Sequence, residues 1–219
     1  MKNIIFIAPP AAGKGTQSRM VHQKYGIPHI SMGDILRDLS KEDSELGHYI
    51  AEILSTGGLV KDEITYQAIE QRLKKDDCKN GYILDGFPRR IEQAQEYDKI
   101  LEKLGYDIGN VILIDVDEDR LEKRVTGRRV CENCGTIYNI NDPKYLPKIE
   151  STCDKCGGKL YQRTDDNLEA FQNRHNVYVE QTEPIIEYYR KKGVLHVVSG
   201  NDTRENIFKQ IDEIISEDK

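Results

Sequence analysis

Short apolar runs alternate with longer amphipathic segments along most of this 219-residue chain. Four runs rich in isoleucine, leucine and valine predict buried parallel strands, at residues 3–8, 81–85, 111–116 and 194–198. Six segments with helical periodicity follow or separate these runs, at residues 15–25, 62–75, 90–104, 118–129, 166–191 and 204–216. Because strands and helices alternate, the pattern predicts an α/β fold with a doubly wound parallel sheet.

Two regions interrupt this alternation. Residues 31–60 form a polar helical segment that ends in STGGLV. Residues 130–162 are rich in Cys, Gly, Asn, Pro and Lys and show no helical period. A chain of this length holds one sizeable core with room for small insertions. We therefore interpret both regions as inserts, the second being a small module of its own.

Composition narrows the class of protein. Hydrophobic residues make up 37% of the chain and charged residues 32%, and the net charge of −6 argues against a general nucleic-acid binder. No apolar run approaches the roughly 20 residues of a membrane span. The N-terminal run NIIFIA is too short for a signal peptide. We expect a cytoplasmic protein without a membrane or nucleic-acid partner.

The segment APPAAGKGT at residues 8–16 has most features of a phosphate-binding loop. Gly13 and Lys14 occupy the expected positions, whereas Ala8 replaces the first glycine and Thr16 comes one place late. A strand precedes the loop and a helix follows it, so the helix N-terminus would add aligned N–H groups. Lys14 would hold the β- and γ-phosphates, and Thr16 could support phosphate or Mg²⁺. The alternative is an ordinary strand-to-helix turn.

Four cysteines form two CxxC pairs, Cys131 with Cys134 and Cys153 with Cys156, separated by eighteen residues. Four thiolates on two tight turns suit tetrahedral zinc. Such a site has no open coordination position, so the zinc would be structural and would supply folding energy to a polar segment. Disulfides or free thiols are the alternatives. The fifth cysteine, Cys78, receives no role.

Charged residues gather near predicted strand ends and around the cysteine module. Asp85 ends a strand and precedes Gly86 and Arg89, a place where an aspartate can orient Mg²⁺-bound water and an arginine can bind phosphate. Arg124 and Arg128 are spaced i,i+4, which predicts that both project from one helix face. Arg163 and Arg174 follow the module, and Asp165 and Asp166 could hold these arginines or cap the next helix. Any single arginine could instead be a surface residue.

Taken together, the motifs resemble the adenylate kinases, within the P-loop nucleoside monophosphate kinases, and in particular the long bacterial type with a zinc-binding lid. The resemblance rests on AAGKGTQ, YGIPHIS with GD and LR after it, GGLVKDE, GYILDGFPR, GRRVCENCG and CDKCGGKLYQRTDDN. It implies a five-stranded parallel sheet in which residues 29–31 are the fifth strand. The implied divisions are a core at 1–30, 61–127 and 165–219, a monophosphate-binding insert at 31–60, and a zinc-ribbon-like lid at 128–164.

The implied reaction is ATP + AMP ⇌ 2 ADP with Mg²⁺, and we expect a monomer. By position, the resemblance assigns ATP binding to Ala11, Ala12, Gly13, Lys14, Gly15, Thr16, Arg124, Arg128, Ile137, Tyr138 and Asp202. It assigns AMP binding to Met32, Arg37, Gly58, Leu59, Val60, Gly86, Phe87, Pro88, Arg89, Gln93, Arg163 and Arg174. The expected catalytic residues are Lys14, Asp85, Arg89, Arg124, Arg128, Arg163 and Arg174.

Three positions depart from the family pattern. Ala8 and Ala11 replace glycines of the loop, and Met32 stands where a threonine is usual beside the AMP base. Gln93 favours AMP, since related pyrimidine kinases usually have asparagine there. The alternatives are therefore a kinase for UMP or CMP, or a nucleotide-binding protein with weakened catalysis. A nucleic-acid-binding zinc ribbon disagrees with the acidic net charge.

Overall fold

The computed structural model describes residues 3–217. The outermost residues of the predicted core, 1–2 and 218–219, lie outside the described residues. Within 3–217 the chain forms two sheets, one of five strands and one of three. In this range no helix is long and apolar enough to cross a membrane.

The larger sheet is parallel and confirms the predicted fold class. Its strands are β1 (Ile4–Ile7), β2 (His29–Ser31), β3 (Ile83–Asp85), β4 (Asn110–Asp115) and β8 (Leu195–Ser199), in the order β2-β3-β1-β4-β8. Ile4 of β1 pairs with Ile83 on one side and with Asn110 on the other. Since β1 lies between β3 and β4, ligands are expected outside the carboxyl end of this strand.

Apolar residues cover both faces of the sheet, as a doubly wound fold requires. Ile5 and Ile7 of β1 pack into one core cluster, whereas Ile4 and Phe6 pack into the other. All four side chains are almost fully buried. This burial on both faces explains why the strand reads as a continuous apolar run rather than an alternating one.

The helices of the described chain are α1 (Lys14–Tyr25), α2 (Met32–Leu39), α3 (Glu45–Thr56), α4 (Asp62–Leu73), α5 (Ile91–Leu104), α6 (Glu118–Gly127), α7 (Leu168–Val177), α8 (Pro184–Lys191) and α9 (Arg204–Glu217). Helices α2 and α3 form the polar insert. The single helix predicted over 166–191 is wrong. A π-helical turn at Tyr178–Thr182 separates α7 from α8, and Pro184, which has no N–H to donate, begins α8.

The smaller sheet is antiparallel and falls within the predicted lid. It contains β5 (Arg128–Cys131), β6 (Ile137–Asn139) and β7 (Leu160–Tyr161), in the order β6-β5-β7. Helix α6 ends at Gly127, so the prediction that Arg124 and Arg128 share a helix face is wrong: Arg128 begins β5. A Cβ at Gly127 would lie 2.1 Å from Oδ1 of Asn139. A side chain at position 127 would therefore displace the side chains of Asn139 and Asn141.

Candidate active site

A cleft of about 510 Å³ opens at the carboxyl end of the larger sheet. It brings together predicted residues from motifs that are far apart in the sequence. These are Ala11, Ala12, Gly13, Lys14, Gly15, Thr16, Arg37, Asp85, Gly86, Arg89, Arg124, Arg128, Ile137, Tyr138, Arg163, Arg174 and Asp202. The cleft lies at the sheet edge where open α/β folds bind ligands.

The loop between β1 and α1 turns through two residues of positive φ, Ala11 and Gly13. Gly13 has φ 100° and precedes the first residue of α1. Ala11 also has positive φ, 64°, whereas Ala8 does not. The two substituted positions therefore differ, because only Ala11 carries the strain of the left-handed region. Lys14, Gly15 and Thr16 at the start of α1 line the cleft, so the positive end of this helix dipole lies there.

Lys14 and Asp85 are two oppositely charged residues that line the cleft. Nζ of Lys14 donates to the carbonyl oxygen of Ala8 at 2.7 Å. Burial lowers the pKa of Lys14 to about 8; Asp85 opposes this, while nearby arginines lower it further. Burial alone would raise the pKa of Asp85, but the His29 ring, with Nε2 3.4 Å from the carboxylate, and the charge of Lys14 hold it at about 2. Asp85 is therefore ionised at neutral pH.

Two of the arginines around the cleft are held by buried carboxylates. Arg128 makes two hydrogen bonds to Asp166, one of them 2.9 Å from Nε to Oδ2, and Arg174 donates to Asp165 at 2.8 Å. Burial, with the charges of Arg128 and Arg89, lowers the pKa of Arg174 to about 10, while Asp165 opposes the shift. The cleft is lined by more arginine and lysine side chains than carboxylates. It therefore carries a net positive charge that favours binding of an anion.

Asp165 and Asp166, just before α7, bind arginines and do not cap the helix. Asp165 and Asp166 hold arginines, whereas the cap of α7 is Asn167, whose Oδ1 accepts the N–H of Ala170 at 2.9 Å. The interpretation of the pair as helix caps is therefore wrong.

A second, smaller pocket of about 50 Å³ adjoins the cleft beside the polar insert. Its walls include the predicted AMP residues Met32, Arg37, Gly58, Leu59, Val60, Gly86, Phe87, Arg89, Gln93 and Arg174. Within the described chain, Pro88 lines neither pocket, and Arg163 lines only the larger one. The predicted acceptor residues thus form a pocket of mixed apolar and charged character, and its arginines also line the larger cleft.

Gln93 lines this pocket with its amide already engaged. Nε2 donates to Asp62 at 2.6 Å and Oε1 accepts the backbone N–H of Arg89 at 2.7 Å. Met32 is 2% exposed and Thr65 is 4% exposed in the same pocket. The Thr65 hydroxyl donates to the carbonyl of Asp62 at 2.8 Å.

The cleft also contains residues that the sequence analysis did not select: Arg19, His29, Asp34, Arg120, Lys144, Tyr145 and Arg204. Asp34 receives a hydrogen bond from Arg37 at 2.5 Å and lies 3.7 Å from Nη2 of Arg163. The sequence near two of these residues could have indicated them. Arg19 lies one helical turn after Gly15, and Asp34 belongs to the GD motif. Tyr145 and Arg204 had no such local signal.

The four lid cysteines form a cluster that fits a metal ion. Their sulfur atoms all lie within 4.8 Å of one another. Sγ of Cys131 is 3.5 Å from Sγ of Cys156, and Sγ of Cys134 is 3.6 Å from Sγ of Cys153. Zinc–sulfur bonds of about 2.3 Å in a tetrahedron place sulfurs about 3.8 Å apart. All four thiols are free of disulfides, so the donor set suits structural zinc.

Comparison with known proteins gives one consistent result. A model of the family described as adenylate kinase matches residues 6–194. An adenylate kinase of Archaeoglobus fulgidus is 46% identical over 217 residues, which cover 99% of each chain. One from Thermosipho africanus is 46% identical over 213 residues, covering 97% of this chain and 99% of that protein. One from a Geobacillus species is 46% identical over 214 residues, covering 97% and 98%. The chain belongs to the adenylate kinase family, whose members are nucleoside monophosphate kinases.

Proposed function

We propose that this chain transfers the terminal phosphoryl group of ATP to AMP, giving two ADP, with Mg²⁺. The observation that carries the proposal is the junction of the two pockets. Lys14 and Asp85 lie in the larger cleft, and Arg89 and Arg174 line both pockets. A donor in the cleft and an acceptor in the smaller pocket would meet at these side chains.

Transfer at such a junction needs no covalent enzyme intermediate. Phosphoryl transfer depends mainly on aligning donor and acceptor and on stabilising the charge of the moving group. Lys14 and the α1 N-terminus would bind the donor phosphates, and Arg37 and Arg89 the AMP phosphate. Arg128, Arg163 and Arg174 would surround the moving group, and Arg124 would lie against the donor base with Ile137, Tyr138 and the backbone at Asp202. Asp85 and Thr16 would hold Mg²⁺, which neutralises phosphate charge.

The resemblance also supports the remaining parts of the proposal. Cys131, Cys134, Cys153 and Cys156 would bind structural zinc in a lid at 128–164. The insert at 31–60 would form the monophosphate site, and the remaining residues the core. The enzyme would act as a monomer in the cytoplasm on ATP, ADP and AMP.

The test is a coupled assay with ATP and AMP, UMP or CMP at matched concentrations. AMP should be phosphorylated fastest. Met32→Thr should bind AMP as well as or better than the parent, whereas Met32→Leu, which keeps an apolar side chain, is the control. Faster phosphorylation of UMP or CMP would overturn the acceptor assignment. No transfer to any acceptor, with ATP still bound, would favour the weakened nucleotide-binding alternative.

The roles of two arginines can be separated kinetically. Arg89 lies between the pockets, so Arg89→Ala should mainly raise KM for AMP. Arg128 lies at the start of the lid, so Arg128→Ala should mainly lower kcat. The same pattern of loss in both variants would contradict these assignments.

A further inference from the structure

A tyrosine of the lid region stacks on an arginine of the last helix. Cζ of Arg204 lies 3.7 Å from the centre of the Tyr145 ring. The backbone N–H of Arg204 also donates to Oη of Tyr145 at 3.3 Å. Both residues line the large cleft. A guanidinium at this distance over an aromatic face is attracted by the ring quadrupole.

Both the guanidinium and the backbone N–H of Arg204 need partners outside α9, because of the position of this residue in the helix. It is the first residue of α9, where the helix dipole disfavours a cation. Its N–H is one of the first-turn donors that have no acceptor within the helix. Thr203 caps a different group, because its Oγ1 accepts the N–H of Asn206 at 3.3 Å. Tyr145 supplies both an aromatic face for the cation and an oxygen for the N–H.

Tyr145 is held in place by a short turn. Its N–H donates to the carbonyl of Asp142 at 2.9 Å, and the side chain of Asp142 accepts the N–H of Lys144 at 3.0 Å. Pro143 restricts the backbone between them. The preceding strand is fastened to α6, because Asn139 donates to the carbonyl of Arg124 at 3.0 Å. The ring is therefore presented by an ordered segment.

Arg204 is in turn connected to the helix that follows the phosphate-binding loop. Its carbonyl accepts Nε2 of Gln17 at 3.0 Å. Gln17 is 2% exposed, and its own N–H donates to the carbonyl of Gly13 at 3.1 Å. The stack thus joins the lid region to the first turn of α1.

The stack also stands near the residue proposed to contact the donor base. Arg124 donates to the carbonyl of Gly200 at 3.2 Å. Burial and the neighbouring Arg120 lower the pKa of Arg124, and the proximity of Tyr145 and Asp142 opposes this shift. Tyr145 and Asp142 therefore lie near Arg124, and all three line the cleft together with residues 201–204.

We propose that Tyr145, through its stack on Arg204, is a positioning residue for the donor nucleotide. The proposal rests on the proposed function, since it takes the cleft around Arg124 to be the ATP base site. The stack holds the 142–145 segment against the start of α9 and so completes the wall around the base. It touches no reacting atom. Its loss should weaken ATP binding and leave AMP binding and the transfer step unchanged.

The test compares four variants of the full chain by calorimetric titration and steady-state kinetics. Tyr145→Ala should raise the Kd for ATP about tenfold, the range expected for a partly desolvated cation–π contact. Tyr145→Phe keeps the ring and should stay within about threefold of the parent. Arg204→Met should match Tyr145→Ala, and the double variant should add little, because both remove the same contact. KM for AMP and kcat should change by less than about twofold in all four.

Leu146→Ala is the matched control, because Leu146 is the next residue and is 48% exposed. It should leave ATP binding unchanged. Equal loss of ATP and AMP binding in Tyr145→Ala, or a Kd for ATP within about twofold of the parent, would overturn the proposal. Additive effects of the two single variants would overturn it as well. Failure of the parent to transfer phosphate to AMP would count against the proposed function instead, because the ATP titration does not depend on transfer.

Discussion

Arg128 at the start of β5 and Asp166 before α7 are joined by two hydrogen bonds, so one buried ion pair ties the start of the lid region to the core segment that follows the lid. The side chain of Asp166 is 0% exposed and that of Arg128 is 13% exposed. Removing one partner of such a pair leaves an uncompensated buried charge. The pair therefore has a structural role beside any role of Arg128 in catalysis.

We predict that Arg128→Met lowers the free energy of unfolding by roughly 3 kcal/mol. Adding Asp166→Asn to this variant should recover a large part of that loss, since a neutral amide replaces the unpaired carboxylate. Turnover should stay low in both variants if Arg128 acts on the moving phosphoryl group. Denaturant unfolding and kcat, measured on the same preparations, check this prediction. Turnover that recovers together with stability would show that Arg128 is only structural.

The pKa of Lys14 predicts how ATP binding depends on pH. With the pKa at about 8 in the free protein, Lys14 is mostly protonated below pH 8 and mostly neutral above it. Phosphates require the charged form, so the Kd for ATP should change little between about pH 7 and pH 8 and rise by up to about tenfold per pH unit above pH 8. Binding at pH 8.5 should take up a proton, which calorimetry in two buffers of different ionisation enthalpy measures. Lys14→Met, which cannot take up this proton, is the control. Equal apparent enthalpies for the parent in both buffers would contradict the assignment.

The two alanines of the loop should respond differently to replacement by glycine. Ala11 has φ 64°, and an alanine in the left-handed region costs roughly 1–2 kcal/mol. Ala11→Gly should therefore raise the free energy of unfolding and the affinity for ATP. The gain in stability is reduced because glycine makes the unfolded chain more flexible. Ala8→Gly should give no gain, because Ala8 has ordinary φ and is 5% exposed. Urea unfolding and ATP titration of the two variants and the parent measure this order. A larger gain at position 8 would contradict it, and no ATP binding by the parent would show that the loop has lost its function.

The lid should depend on metal, whereas the core should not. We predict one zinc per chain after purification without added metal. Cys153→Ser should reduce this content and lower the temperature of lid unfolding. The buried cluster of the lid contains only Cys131, Tyr138, Cys153 and Leu160, which is too few apolar residues to fold without the metal. Cys78→Ala, outside the cluster, is the control and should keep its zinc. Metal-free parent protein, or a disulfide among the four cysteines, would disprove the claim.

The sequence predicted the features that short segments encode. β1 could be found because Ile4–Ile7 is buried on both faces and is apolar throughout. The four cysteines were found because two CxxC turns have few other uses. Lys14, Asp85 and Arg89 of the cleft could be selected because parallel strands bring their carboxyl ends, and the motifs after them, to one edge. Arg37, Ile137, Tyr138 and Asp202 were selected only through the resemblance to adenylate kinases. The roles of those residues stay predictions.

The features that the sequence missed depend on distant parts of the chain. The apolar positions of α6 end at Val125, and Gly127 is a local signal for a helix end, but the helix predicted over 118–129 passes this glycine. The end is fixed by β6, since the N–H of Ile140 donates to the carbonyl of Gly127 at 2.8 Å. The contact between Tyr145 and Arg204 joins residues 59 positions apart. Both contacts depend on tertiary pairing, which the local pattern does not show.

The pairing of Val130 with Tyr161 across β5 and β7 has a consequence for the history of the chain. Residues directly opposite in an antiparallel ladder have Cα atoms about 5 Å apart. The thirty residues between these two positions therefore leave and rejoin the polypeptide at nearly one point. A gene could lose them, or gain a module of another length, without rerouting the rest of the molecule. The cysteine module is a separable part in this sense, and a short hairpin turn joining 130 to 161 would close the ladder in its absence.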